Sequence, residues 1–205
     1  MKKKKWVIAL AVLALVIAAA FPVRAAVREY GYQKMLAETF ENLARNTEYV
    51  SNQVEMMYAG INAALASTDP IVQRDQLLLV DSCAGDVYDT VQYMGSYTVL
   101  YGNAHQDTVN LKDWASEYQI RAGMLRLQEF LRPYLTGERD PSDETFRQVL
   151  LRVQVDLEWM ESVWDETFSQ ADTMTDREFV RAFTDLFAEN EPAWGRFFEP
   201  LSQQN

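Results

Sequence analysis

The chain has 205 residues, 30 acidic side chains against 19 Lys and Arg, one Cys and one His. A single His and a single Cys cannot build a zinc site or a Cys–His catalytic pair within one chain, and one Cys cannot form an internal disulfide. The net charge of −11 argues against nucleic acid as a partner, because phosphate binding needs concentrated Lys and Arg.

Residues 1–25 have the pattern of an export signal. Four lysines at positions 2–5 precede an apolar run, residues 6–21, that lacks any polar side chain. The small-residue exit at Ala25 predicts a secretory signal peptide that is cleaved after this residue. The alternative is a signal anchor that stays in the membrane through residues 6–21, although a spanning helix needs about 20 apolar residues. Both alternatives predict export, either as a secreted or periplasmic protein or as a single-pass membrane protein with its C-terminal domain outside.

Residues 26–205 are predicted to form a single acidic domain. This part of the chain has 14 Lys and Arg against 30 Asp and Glu, so its net charge is −16. Such a charge keeps a protein soluble and disfavours anionic membrane surfaces as well as nucleic acid. A chain of this size can bury a sizeable core.

The first predicted helix spans about residues 27–67. Apolar residues alternate in steps of three and four along it, which is typical of helices in bundles and coiled coils. The stripe consists of Leu36, Phe40, Leu43, Thr47, Val50, Val54, Met57, Ile61 and Ala64.

A boundary is predicted at Asp69–Pro70, because Asp caps helices and Pro is favoured at their first position. The second helix follows and is expected to end at Gly102. Its stripe is weaker than the first, and Gly85 and Gly95 interrupt it. The stripe consists of Val72, Gln76, Leu79, Cys83, Val87, Val91, Met94, Thr98 and Tyr101.

The third helix is predicted from Asn110 to Gly137, and the fourth begins at Asp140–Pro141. The third is expected to bury Leu111, Trp114, Tyr118, Ala122, Leu125, Leu131 and Tyr134. The fourth has a stripe as regular as the first and a second apolar line, Val155, Trp159 and Val163, so it is expected to be covered on more than one side. Its main stripe consists of Phe146, Leu150, Val153, Leu157, Met160, Trp164, Phe168 and Ala171.

A shorter element closes the chain. Thr175 with Glu178 three residues later predicts a capping box at the start of a short helix. Trp194, Phe197 and Phe198 in the tail are expected to pack back on the helices. The fold class predicted from the whole sequence is all-α: a signal peptide or signal anchor, then an antiparallel bundle of four long helices plus a short C-terminal helix.

Few residues have the types and spacing of a catalytic or metal site. His105 with Asp107 could act as a general base, but no nucleophile is tied to them by spacing, so an exposed loop His is favoured. Cys83 lies on an apolar stripe and is expected in the core. No cofactor is predicted.

An acidic face is predicted on the fourth helix, where Glu158, Glu161 and Asp165 follow steps of three and four. A metal site is disfavoured because the sequence has no Glu-x-x-His pair of the di-iron bundles, so a solvated face is expected. Arg121 and Arg126 on the third helix could pair with these acids or receive an anionic ligand.

The predicted contact surface combines tyrosines of the second helix with arginines of the third: Tyr88, Tyr93, Tyr97, Arg121 and Arg126. Tyr and Arg are both enriched in protein interfaces.

Together these patterns favour a non-catalytic protein that acts by protein–protein contacts, as a scaffold or adaptor of the cell envelope. Its expected partner is an envelope protein or a second copy of the chain. The alternative is an extracytoplasmic, sensor-type domain that holds a small molecule between helices through Arg and aromatic groups. An enzyme that uses the carboxylates is the third and least favoured hypothesis.

Overall fold

The computed structural model describes residues 23–24, 26–27, 29–31, 33–105 and 114–202. These residues form helices, turns and short loops with no strand among them, which confirms the prediction of an all-α fold. The predicted membrane span, residues 6–21, lies outside them, as do Ala25, Asp107, Asn110 and Leu111. No helix in the described part of the chain has the length and hydropathy needed to cross a membrane.

The chain divides into two compact units, residues 1–39 and residues 40–205. In the first unit the described residues are helical, and the Lys34 Nζ lies 3.6 Å from the Glu38 Oε1 one turn later. The helices of the second unit are α1 (Leu43–Ala66), α2 (Pro70–His105), α3 (Trp114–Leu135), α4 (Glu144–Phe168), α5 (Asp176–Glu189), α6 (Glu191–Trp194) and α7 (Glu199–Ser202).

Local sequence signals set several helix ends as predicted. The Asp69 Oδ1 accepts a hydrogen bond from the Ile71 N–H at 2.9 Å, so Asp69 caps α2. Gly137, just after α3, has a φ of +79°, the left-handed conformation that glycine adopts at helix ends. Both hydrogen bonds of the capping box between Thr175 and Glu178 form at the start of α5.

Three predicted helix boundaries are wrong. The first helix is interrupted by a turn at Glu41–Asn42. Just before this turn, the Thr39 hydroxyl donates a hydrogen bond to the Met35 carbonyl. A bond of this kind bends helices. Helix α2 continues through Gly102 to His105, whose ring stacks on Tyr101 at 4.1 Å.

The fourth helix also starts later than predicted. Asp140 accepts from the Ser142 N–H in a turn, and Asp143 is the residue that caps α4, because its side chain accepts from the Thr145 N–H at 2.8 Å.

The long helices run antiparallel to their neighbours. On one side of α1, the Ser51 hydroxyl donates to Asp165, and further along the Gln154 amide donates to Asn62, so α1 and α4 run in opposite directions. The second helix lies between α1 and α3: α1 and α2 form a hairpin, and the Gln128 amide of α3 donates to the Asp81 carbonyl of α2.

The buried faces of α1 and α4 are the predicted stripes. Every predicted member from Leu43 to Ala64 is buried, as is every member from Phe146 to Ala171, while Phe40 is only partly buried. The second line predicted on α4 is partly wrong, because Val155 is exposed, whereas Trp159 is partly buried against the Trp194 ring at 4.6 Å.

The buried face of α2 differs from the predicted stripe over its first half. Val72 is exposed, and Gln76 and Leu79 are only partly buried. The residues that enter the core instead are Gln73, Leu77, Val80 and Ala84, one position further along the chain.

The stripe predicted for α3 is also wrong over its first half. Tyr118 and Leu125 are exposed and Ala122 is partly buried. The core is instead formed by Ile120, Met124 and Leu127, which lead to the correctly predicted Leu131 and Tyr134.

The aromatic tail packs on the bundle as predicted, and it lies between α3 and α4. Phe197 and Phe198 lie so close to Gly123 of α3 that a Cβ there would come within 2.6 Å of the Phe197 ring. On the α4 side, the Phe198 N–H donates to Asp156 at 2.9 Å. The tail therefore fills the space that separates these two helices.

Candidate functional site

The structure brings Arg121 and Tyr88 of the predicted contact surface together. The Arg121 guanidinium lies over the Tyr88 ring, 4.5 Å from its centroid, and donates to the Tyr88 hydroxyl and to the Gln92 amide oxygen at 2.8 and 3.0 Å. These contacts join α2 to α3 and fix the arginine in one position.

Tyr97 does not belong to any surface, which corrects the prediction for this residue. Its side chain is 1% exposed and packs against Phe40 and Tyr101. Among the described residues its hydroxyl has no hydrogen-bond partner, and burial raises its pKa well above the usual range.

Tyr93 is exposed but faces a different direction from Tyr88. The two residues are five positions apart, which is about 140° around a helix of 3.6 residues per turn. Tyr88 points toward α3 through its contact with Arg121. Tyr93 lies seven residues after Asp86, about 20° away around the helix, and Asp86 hydrogen bonds to Tyr49 of α1, so Tyr93 lies on the side of α2 that faces α1. The predicted contact surface is therefore divided between two sides of α2, with Tyr88 on the side of α3 and Tyr93 on the side of α1. Arg126 is partly buried on α3.

A half-exposed apolar line runs along the hairpin of α1 and α2. We call it the outer groove, formed by Tyr49 and Met56 of α1 and by Val72, Leu79 and Tyr93 of α2. Met56, Val72 and Tyr93 are 41, 42 and 41% exposed, and Leu79 is partly buried.

The hairpin geometry fixes the register of this groove. Tyr49 hydrogen bonds to Asp86, which raises the pKa of the tyrosine. Gly60 lies against α2, where a Cβ would be 2.9 Å from Val80 and 3.3 Å from the Gln76 carbonyl. In an antiparallel pair, a step of seven residues from Tyr49 and Asp86 places Met56 beside Leu79. The apolar side chains of the two helices therefore lie side by side at this level, with Asp86 one step further along α2.

The sequence pattern indicates only part of the outer groove. It predicts Val72 and Leu79 in the core and Tyr93 in the contact surface, and it does not distinguish Tyr49 and Met56. The signal that identifies the groove is a shared seven-residue spacing, Tyr49 to Met56 on α1 and Val72 to Leu79 on α2.

A second feature is an open cleft of about 550 Å³ between the start of α1 and the end of α4. Its walls are mostly acidic or hydroxylic, and we call it the acidic cleft. The Ser51 hydroxyl donates to the Asp165 carboxylate at 2.6 Å across it. Its lining residues are Ala44, Thr47, Glu48, Ser51, Asp165, Phe168, Ser169, Ala171 and Asp172.

The predicted acidic face of α4 continues from this cleft along α1. The Tyr58 hydroxyl of α1 donates to Glu158 at 2.6 Å. Partial burial raises the pKa of Glu161, and the neighbouring carboxylates Asp165, Glu55 and Glu158 raise it further. Within the described residues no group of His, Cys, Asp and Glu is arranged to hold a metal ion.

Of the two remaining candidate residues, Cys83 lies beneath the outer groove near Tyr49 and Asp86, and His105 lies apart from both features. Cys83 is buried in the core, as predicted, and burial raises the pKa of its thiol. His105 is exposed at the end of α2, where its Nδ1 lies 3.0 Å from the Tyr101 carbonyl oxygen.

Comparison with protein-family models, with curated proteins and with solved structures finds no match for this chain.

Proposed function

We propose that this protein acts without catalysis, by protein–protein contacts, as a scaffold or adaptor in the cell envelope. The observation that carries the proposal is the outer groove. Its side chains are large and apolar, they lie on two long helices held by the core, and they are about two-fifths exposed at Met56, Val72 and Tyr93. Contiguous apolar surface of this kind is typical of interaction sites, whereas single exposed apolar residues are ordinary.

Export is part of this proposal and rests on residues 1–25 of the sequence. The basic run, apolar stretch and small residues predict either cleavage after Ala25 or retention as a membrane anchor. N-terminal sequencing of the protein from its own cell separates the two: a start at Ala26 identifies a secreted or periplasmic protein, and a start at Met1 identifies a tethered one. Recovery of the protein from the cytoplasm with an intact N-terminus would contradict export.

Photo-crosslinking in the cell that produces the protein tests the contact function. A photoreactive residue replaces Met56, Leu78, Leu125 or Leu151 in turn, one on each long helix, all of them exposed by 41–49%. We expect a discrete adduct of higher mass from at least one position. The absence of adducts from all four positions would contradict the contact function.

The second candidate function is binding of a small molecule, and the acidic cleft favours it. Its volume suits a small ligand, and Glu48, Asp165 and Asp172 give it a negative wall. These walls favour a cationic ligand, rather than the anionic one that Arg residues would bind. A thermal-shift screen with small organic cations tests this function, because a bound ligand must stabilise the folded state. An unchanged melting temperature with every cation would speak against it.

A further inference from the structure

We propose that the outer groove binds one amphipathic helix of another protein, and that this helix has basic residues flanking its apolar face. This inference rests on the proposed contact function and adds the surface and the chemistry of the partner. Its two parts, a helix and a basic flank, follow from different observations.

The shape of the groove favours a helical occupant. Each wall has one pair of apolar residues seven positions apart, Tyr49 and Met56 on α1 and Val72 and Leu79 on α2, a spacing that matches the i, i+3, i+4, i+7 residues of a helix laid along the hairpin. On α2 the next seven-residue step is Asp86, which hydrogen bonds to Tyr49, and Tyr93 follows it. From Val72 to Tyr93 the wall of α2 is about 30 Å long at 1.5 Å per residue. A helix of about 20 residues covers this length.

Close packing of the hairpin keeps the groove shallow. Gly60 brings the α1 backbone against Val80 and the Gln76 carbonyl. Helices that approach so closely leave only a narrow valley between them, into which one row of side chains fits. Met56 and Leu79 lie on the two sides of this valley.

The charge of the hairpin favours a basic occupant. Helices α1 and α2 contain two arginines, Arg45 and Arg74, against six carboxylates, a net charge of −4. Asp75, Asp86 and Asp89 lie along α2 within the length of the groove. Lys or Arg beside the apolar face of a partner helix would complement them.

The same charge disfavours two other occupants. A second copy of this chain would place its own acidic hairpin against the first, which costs free energy through like-charge repulsion. An anionic membrane surface would repel the hairpin for the same reason. The favoured occupant is therefore a helix of a different, basic protein segment.

Binding of three synthetic 21-residue helical peptides to the purified full chain tests the proposal. The first has Leu at heptad spacing with Lys and Arg flanks, the second has the same Leu positions with Glu flanks, and the third keeps the basic flanks but has Gln in place of Leu. Fluorescence anisotropy measures each Kd. We expect saturable binding of the first peptide alone, because both the apolar face and the basic flanks are needed.

The double variant Met56→Glu, Leu79→Glu places the binding in the groove. We expect its Kd for the first peptide to rise at least about tenfold, since apolar contacts at an interface centre carry most of its binding energy. Leu151→Glu on α4 is the matched control, because this residue is 45% exposed and lies outside the groove, and it should leave the Kd unchanged. Circular dichroism melting curves of all variants confirm that they remain folded.

Four results would overturn the inference. Equal binding of the third peptide would show adhesion by charge alone, and an unchanged Kd in the double variant would place binding elsewhere. A dimer in sedimentation velocity that the double variant dissociates would identify a second copy as the occupant. Crosslinks in the cell from Leu125 or Leu151 but not from Met56 would refute this surface while leaving the contact function intact.

Discussion

Helices α4 and α2 differ in how far apolar spacing determines which residues are buried. In α4 the predicted stripe and the buried face coincide from Phe146 to Phe168. In α2 the two separate over the first half, where Leu77 and Val80 enter the core and Val72 and Leu79 do not. The comparison teaches that a regular apolar stripe fixes the orientation of a helix, whereas a run of consecutive apolar residues leaves the choice to the neighbouring helix.

The neighbour that decides the orientation of α2 is α1. Four consecutive apolar residues, Leu77 to Val80, point in every direction around the helix, so spacing alone cannot select among them. Gly60 of α1 provides a surface without a side chain at this level, and Val80 packs against it. The apolar residues left over on the other side form the outer groove.

The largest expected effect is a difference in the free energy of unfolding between substitutions on the buried and the exposed face of α2. Leu77→Ala should lower the free energy of unfolding by about 2–5 kcal/mol, because Leu77 is fully buried. Leu78→Ala should change it by less than about 0.5 kcal/mol, because Leu78 is 49% exposed. Urea denaturation measures both. A larger loss of unfolding free energy for Leu79→Ala than for Leu77→Ala would support the predicted stripe and contradict the outer groove.

A smaller effect is expected where α1 sets the register of α2. Gly60→Ala should destabilise the protein by about 1–3 kcal/mol, because the new methyl group meets Val80 at 2.9 Å and the Gln76 backbone at 3.3 Å. Gly85→Ala is the control: its Cβ would meet only the flexible end of Gln128 at 3.2 Å, and Ala favours helices by about 1 kcal/mol. Thermal unfolding that ranks Gly85→Ala as the more damaging variant would contradict this account of the hairpin.

The smallest effect concerns the tail that covers α4. Burial raises the pKa of Asp156 above its ordinary value of 3.8, the Glu199 charge raises it further, and the Phe198 N–H opposes both. The folded state therefore binds the Asp156 proton more tightly than the unfolded chain does. As the pH rises from 3.8 through the raised pKa, ionisation of this group lowers the free energy of unfolding of the protein.

Asp156→Asn tests this pH dependence. The amide oxygen can still accept from the Phe198 N–H but carries no charge. We expect the variant to melt at a higher temperature than the wild type at neutral pH and at the same temperature below pH 3.8, where the wild-type carboxyl group is protonated. A variant that is less stable at neutral pH would show that the ionised hydrogen bond outweighs burial.

Much of the fold could be predicted because local signals act alone. The Asp69 cap, the left-handed Gly137 and the capping box from Thr175 each need only a few neighbouring residues. The main stripes of α1 and α4 needed only their regular spacing in steps of three and four. The buried face of α3 could not be predicted in the same way, because Gly123 receives Phe197 from a tail more than 70 residues later in the chain.

The candidate site was less predictable than the fold. Tyr88 and Arg121 meet because α2 and α3 pack with this register, and Tyr97 is buried because Phe40 covers it. A surface formed by two helices depends on how each helix is rotated toward the other. The apolar period of a single helix does not predict that rotation. The outer groove depends on the rotation of α2 that brings Val80 against Gly60.

Thiol labelling under native conditions measures the orientation of α2 most directly. Val72→Cys and Leu77→Cys are prepared separately, and the buried Cys83 serves as the protected reference within each protein. The structure predicts that Val72→Cys reacts rapidly, while Leu77→Cys and Cys83 react only when the protein unfolds. Equal rapid labelling at positions 72 and 77, or protection of position 72 with labelling of 77, would contradict the outer groove.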